Sequence, residues 1–197
     1  MINAFRNIYA NRLWNGRVSA SGPGSDLEET SVIREELPLI IEIFGIQSML
    51  DAPCGDFNWM KELTLSEYTG IDIVPELITE NIRKYGPRFL MGDIRTASLP
   101  KVDLILCRDC LAHLTLADCK QVIENFRQSG SKFLLATTYP CVYENNDTPE
   151  WTVDGTIHKF QPGDCRMVNL EILPFDLGRA RTRIEEKPGK DLGLWRL

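Results

Sequence analysis

From residue 47 onward the sequence alternates between short, continuous apolar runs and stretches with helical periodicity, and few architectures absorb that pattern. Residues 47–52, 67–73, 88–94, 101–107 and 131–139 read as strands. Residues 57–63, 75–86 and 116–130 read as helices between them, the second opened by Pro75 in its first turn and the third closed by Gly130. Strands that are apolar on both faces belong in a parallel sheet covered by helices on either side, the doubly wound α/β class. Residues 181–187 and 191–197 flank Pro188-Gly189. That turn predicts an antiparallel hairpin, which would complete a mostly parallel, seven-stranded sheet.

The flanks obey other rules. Residues 5–14 read as a short amphipathic helix and residues 15–24 as a flexible stretch rich in Gly and Ser. A helix is expected over residues 25–37, with Ser25 as its N-cap, Glu28 in the capping-box position and a break near Pro38. Residues 139–164 are irregular and rich in Asn, Asp and Pro, and residues 166–178 read as a short helix or turn.

Composition excludes several functions. A chain of 197 residues, 43% hydrophobic and 25% charged, fits one soluble globular domain. No apolar run approaches the roughly 20 residues that span a bilayer, which argues against a membrane partner. The N-terminal residues lack the pattern of a secretory leader, so cytoplasm is the default location. The net charge of −6 disfavours nucleic acid as a partner, because phosphate binding needs a basic footprint. The six cysteines are Cys54, Cys107, Cys110, Cys119, Cys141 and Cys165, and reduced thiols are expected. Cys107-Arg-Asp-Cys110 has C-x-x-C spacing but ends a strand instead of opening a helix, which argues against redox chemistry. With no second such pair, and with His113 and His158 outside any standard spacing, no metal site is expected.

In open α/β sheets ligands bind beyond the carboxyl ends of the strands. Those ends read Asp51-Ala-Pro-Cys-Gly-Asp56, Gly70-Ile-Asp72-Ile73, Met91-Gly-Asp93-Ile94 and Cys107-Arg108-Asp109, with His113 following. A lone Asp after a strand is often a helix cap, but an acidic end on four successive strands is hard to read that way. Asp72 stands where a carboxylate accepts two hydrogen bonds from a ribose diol. Gly55 lets the backbone approach a ligand closely. Asp93 stands at the depth of an adenine amino group, with Ile73 and Ile94 as apolar faces for the ring.

These residues at these spacings resemble the class I S-adenosylmethionine-dependent methyltransferases, over roughly residues 47–138. The phrases from Pro53 to Trp59, Cys107 to Cys110, Ser129 to Ser131 and Asp191 to Trp195 resemble, more narrowly, a bacterial group of small methyltransferases without a defined acceptor. The resemblance implies S-adenosylmethionine as cofactor. It implies that Asp51 and the Pro53-Cys54-Gly55 turn border the methionine part, that Asp72 holds the ribose, and that Asp93 and Ile94 hold the adenine. Arg108 is implied near the cofactor's far side. The turn carries one glycine where the family usually has two or three.

Methyl transfer from a sulfonium is a direct displacement, and the enzyme's main task is alignment. A hydroxyl acceptor also needs a general base, for which Asp109 and His113 are the candidates. The acceptor is expected between Trp14 and the loop 19–25 on one side and Tyr139, Tyr143, Asn146 and Trp151 on the other. In residues 139–164, Glu144, Asp147, Glu150, Asp154 and Asp164 oppose the single Lys159, which disfavours an anionic acceptor. Trp59 and Trp195 read as core.

The expectation is a single methyltransferase domain, residues 1–197, acting on a small molecule such as a saccharide or secondary metabolite, with O-methylation favoured. Residues 1–45 would form an N-terminal lid, and residues 139–164 an acceptor-side insertion. The alternatives are a protein or RNA methyltransferase and a non-catalytic cofactor-binding protein. A dinucleotide oxidoreductase is disfavoured because G-x-G-x-x-G is missing.

Overall fold

The computed structural model describes residues 1–14, 16–146, 151–153, 156–158 and 160–197, with residues 151–153 and 156–158 described by their backbone alone. The sheet contains β1 (Ser48–Asp51), β2 (Glu67–Asp72), β3 (Phe89–Met91), β4 (Leu104–Cys107), β5 (Phe133–Thr138), β8 (Thr182–Lys187) and β9 (Lys190–Arg196). Its order is β3-β2-β1-β4-β5-β9-β8. The first five strands run parallel, while β9 runs antiparallel between β5 and β8. This is the doubly wound α/β sheet, ending in an antiparallel hairpin, that the alternation predicts.

The apolar strands are explained by where their two faces go. In β4, Leu104 and Leu106 enter one apolar cluster and Ile105 and Cys107 enter the other, all fully buried, because successive strand side chains point to opposite faces. Helix α2 (Ser31–Phe44) covers the first cluster with Ile33, Leu37 and Ile40. Helix α4 (Leu116–Gln128) covers the second with Cys119, Val122, Ile123 and Phe126. Helix α3 (Pro75–Tyr85) adds Leu77 and Ile78 to the first cluster. The Thr115 hydroxyl caps α4, accepting the Asp118 N–H at 3.1 Å.

The structure corrects four local expectations. Residues 57–63 form only a short 3-10 turn, Met60–Glu62, instead of a helix. Ser25 ends another 3-10 turn, Pro23–Ser25, and caps nothing; α2 starts later, after Thr30. Pro38 does not break α2, because Ile33, Leu37 and Ile40 bury both halves against the same face of the sheet. Residues 139–164 hold two short paired strands, β6 (Trp151–Val153) and β7 (Thr156–His158). Residues 166–178 form turns, one of the two forms expected, and no helix.

Helix α1 (Ile2–Ala10) buries none of its residues fully and lies outside the layered core, where Phe5 touches both apolar clusters. No helix among the described residues is long and apolar enough to cross a membrane.

Candidate active site

Parallel register brings the strand-end carboxylates to one edge of the sheet. Asp51 pairs with Gly70 on one side and Leu106 on the other, and Asp72 with Met91. All nine residues that the sequence assigns to the cofactor line a single cleft at that edge: Asp51, Pro53, Cys54, Gly55, Asp72, Ile73, Asp93, Ile94 and Arg108. Asp109, His113 and Trp14 line it too. Tyr139, Tyr143 and Asn146 do not. Tyr143 is 93% exposed, and Tyr139 is half-buried, with burial raising its phenol pKa. The Trp151 side chain, Asp147, Glu150, Asp154 and Lys159 lie outside the described residues, and with them most of the acidic pattern of that loop.

The carboxylates differ sharply in environment. Asp51 is 4% exposed and accepts the Tyr68 hydroxyl at 2.8 Å, yet burial pushes its pKa up to about 7, helped by the nearby Asp72. Asp72 is 7% exposed; it accepts the Gly55 N–H at 3.2 Å on one oxygen and the Val74 N–H at 3.0 Å on the other. Burial raises its pKa as well, and each oxygen keeps a lone pair free for a diol. Asp93 is gripped by Arg95, with Nη2 at 2.6 Å from Oδ2, and that pairing lowers its pKa. Arg95 also reaches Asp118 at 2.6 Å.

At the end of β4, Arg108 is 8% exposed. Its Nε donates to Glu186 at 2.7 Å, and its guanidinium lies 5.6 Å over the Trp59 ring. Asp109 has a left-handed backbone with φ of 49°, a strained conformation for a non-glycine residue. Its N–H donates to Thr137 Oγ1 at 2.8 Å, and its carboxylate meets Lys190 Nζ at 2.7 Å and Arg108 Nη1 at 3.4 Å. Burial opposes ionisation here, but the two cations outweigh it and hold the Asp109 pKa below the usual range. Asp109 caps no helix, since α4 starts at Leu116 behind Thr115.

His113 ends a 3-10 turn, Leu111–His113. Its Nδ1 lies 2.9 Å from the Asp164 carbonyl, which can only accept, so Nδ1 donates there and a neutral ring has its lone pair on Nε2. Trp14 stacks on it with ring centres 4.8 Å apart and donates its indole N–H to the Gly163 carbonyl at 3.2 Å. The N-terminal segment and the insertion therefore meet over His113.

The roof is tied down by two carboxylates that the sequence reading did not single out. Asp26 accepts the N–H groups of Arg17, Val18 and Ser19 at 3.0–3.1 Å. Asp56 accepts the Ala20 N–H at 2.7 Å and the Ser19 hydroxyl at 2.9 Å, while its own N–H donates to Ser21 Oγ at 2.9 Å. Gly55 has φ of +53°, and a Cβ there would collide with Ser21 Oγ, so a glycine is required where the roof meets the β1 turn. Phe5, Tyr9, Trp59, Arg95 and Cys110 also line the cleft without having been assigned to it; Trp59, 8% exposed, is core as expected and a cleft wall as well, and Trp195, 2% exposed, is core. All six cysteines are free thiols. No cluster of three metal-ligating side chains occurs among the described residues.

A cleft bordered by four strand-end carboxylates, with apolar Ile73 and Ile94 at one end and an arginine at the other, suits a zwitterionic sulfonium nucleoside. Residues 50–130 match the family model described as methyltransferase domain. No curated protein sequence matches the chain significantly. Among solved structures, the PH0226 protein from Pyrococcus horikoshii OT3 is 16% identical over 87% of this chain and 92% of its own, with a TM-score of 0.61. Human N-acetylserotonin methyltransferase in complex with SAM is 16% identical over 86% of this chain and 53% of its own, also at 0.61. The chain thus spans about half the length of that human enzyme, and at such identities the likeness is one of fold. The match to the methyltransferase domain model thus covers residues 50–130, about two fifths of the chain, and the sheet around that segment shares its fold with the solved human methyltransferase.

Proposed function

We propose that this chain transfers a methyl group from S-adenosylmethionine to a hydroxyl of a small, uncharged or cationic molecule, with a saccharide or secondary metabolite as the acceptor class and His113 as the general base. The observation that carries the reading is the His113 tautomer. The Asp164 carbonyl holds the proton on Nδ1 and leaves Nε2 without a partner among the described residues, in a residue that lines the cleft.

The bound cofactor supplies an electrophilic methyl group on sulfur. Asp72 would hold the ribose diol, Asp93 and Ile94 the adenine, and Asp51 and the Pro53-Cys54-Gly55 turn the start of the amino-acid tail. Trp14 would form a flat wall for the acceptor, whose hydroxyl proton passes to His113 Nε2 as the oxygen attacks. Asp109 is a poor base, because Lys190 and Arg108 hold it ionised; its part is to position Arg108 and the β4 turn. Tyr139, Tyr143 and Asn146 are not used for the acceptor, since they lie off the cleft. Residues 1–45 and 139–164 would act together as a lid, joined where Trp14 meets Gly163.

The test is His113→Gln, with an acceptor found by transfer of isotopically labelled methyl from the cofactor into fractionated small-molecule extracts. The rate should fall by roughly 100-fold or more, the usual contribution of a general base, while cofactor affinity stays within 2-fold. An unchanged rate removes His113 from the chemistry. Labelling of protein or RNA in preference to small molecules overturns the acceptor class.

A further inference from the structure

Residues 161–164 form a turn that is closed twice by the same two residues. The Asp164 N–H donates to the Gln161 carbonyl at 3.0 Å, and the Gln161 N–H donates to Oδ2 of the Asp164 carboxylate at 2.7 Å. Gly163 lies inside the turn with φ of +104°, and a Cβ there would collide with Ile8 of α1. Two backbone bonds fasten the turn to the segment that carries His113. The Gly163 N–H donates to the His113 carbonyl and the Arg166 N–H to the Ala112 carbonyl, both at 3.0 Å.

Two consecutive carbonyls of this turn each meet one of two stacked rings. The Gly163 carbonyl accepts the Trp14 indole N–H at 3.2 Å, and the Asp164 carbonyl accepts from His113 Nδ1 at 2.9 Å. The two rings lie 4.8 Å apart between centres, inclined by 32°. A carbonyl points where its peptide plane points, so the aim of the Asp164 carbonyl depends on the shape of the turn. Among the described residues, the Asp164 carboxylate makes the one side-chain hydrogen bond that holds this shape from within. Imidazole free in water prefers its proton on Nε2, and in a protein the hydrogen bond made by one ring nitrogen decides which of the two keeps it.

We propose that Asp164 is a positioning residue for His113: its carboxylate closes the turn that aims its own carbonyl at Nδ1, and this fixes the ring with its lone pair on Nε2. The proposal rests on the reading of His113 as the general base. It gives that base a support outside residues 50–130, in the insertion that follows β5. Asp164 does not line the cleft, so it acts through the ring alone. Neither apolar cluster contains a residue of the turn, so altering Asp164 leaves the core intact.

Nitrogen NMR on the intact protein reads the tautomer without any substrate. The sequence holds two histidines, so His113→Gln assigns the ring signals by subtraction. At a pH of about 8.5, above the usual imidazole range, native His113 should show Nδ1 protonated and Nε2 bare. Asp164→Ala should move roughly half or more of that signal to the form protonated on Nε2. Asp164→Asn, whose amide oxygen still accepts the Gln161 N–H, should keep the native pattern. With the acceptor found by methyl labelling, kcat should fall about 10-fold in Asp164→Ala and return to within about 2-fold of native in Asp164→Asn, while S-adenosylhomocysteine affinity stays unchanged in both. A native tautomer retained in Asp164→Ala, or lost in Asp164→Asn, overturns the positioning role. A tautomer that shifts in Asp164→Ala, with methyl transfer unaffected in that variant and in His113→Gln, leaves the control of the ring standing and overturns the reading of His113 as the base. Native His113 protonated on Nε2 overturns both.

Discussion

The sheet and the roof of the cleft are built on opposite principles. The sheet is held by apolar side chains with nowhere else to go: β4 is buried over its whole length, and Phe126 and Leu134 are fully inaccessible. The roof, residues 1–30 with the turn at 160–166, buries little; α1 has no fully buried residue, and the segment after it is fastened by Asp26, Asp56 and Asn58. Apolar burial scales with area and does not release piece by piece, whereas a few hydrogen bonds of about 1 kcal/mol each can open and reform. The cleft is thus held by apolar burial below and by a few hydrogen bonds above, the arrangement a lid would need.

The largest expected effect tests the lower half. Phe126→Ala should cost about 3–5 kcal/mol of global stability in urea unfolding, as a large core truncation does; a loss below about 1 kcal/mol would mean that α4 contributes as little as α1.

Asp51 sharpens the contrast by showing where the rigid half works against itself. Its pKa is about 7 when folded against about 4 when unfolded, so the folded protein binds the proton more tightly. This group's stabilisation is complete below pH 4 and is lost as pH rises to 7. Asp51→Asn keeps an acceptor for the Tyr68 hydroxyl and removes the titration. The variant's stability relative to the native protein should therefore climb between pH 4 and 7 and level off above, by on the order of 2–4 kcal/mol. A difference that stays flat with pH would show that the Asp51 carboxyl is solvated.

Asp72→Ala acts on binding. S-adenosylhomocysteine affinity should fall by about 1.5–3 kcal/mol in calorimetry, with global stability little changed. An unaltered dissociation constant would make Asp72 a mere anchor for the Gly55 and Val74 amides.

Asp56→Ala is the smallest of the four and addresses the roof alone. Global stability should drop by about 1 kcal/mol, while amide hydrogen exchange over residues 17–26 accelerates and exchange in β4 and β5 does not. In the native protein, S-adenosylhomocysteine should slow exchange across residues 12–25 and 160–166 together. Exchange in those segments that ignores the ligand, alongside protected strand-end loops, would refute a lid.

What the sequence discloses follows the same division. The strands, their mostly parallel direction and the aspartates at their ends were legible because two-sided burial writes itself as continuous apolar runs, and because a parallel sheet places every strand end on one edge. The roof was not legible. Asp26 and Asp56 act on backbone amides through loop geometry, with no periodicity to betray them, so Ser25 read as a cap. Trp59 looked like core because it is core on one face and the seat of Arg108 on the other. Lys190 was invisible as a partner of Asp109, being distant in sequence and joined to it only when β9 pairs with β5. Pro38 misled because local propensity was overruled by packing.

The placement of β9 between β5 and β8 has a consequence for the growing chain. A ribosome that has delivered residues up to Thr138 has released five parallel strands with an open, apolar edge at β5, including Leu134 and Leu135. Until the hairpin emerges, Asp109 has no Lys190, Arg108 has no Glu186, and the bare edge can recruit any other strand in reach. Synthesis from one end to the other therefore leaves the nascent chain with an incomplete cleft and an adhesive edge for a defined interval, and chaperone capture during translation should concentrate between the appearance of β5 and that of β9.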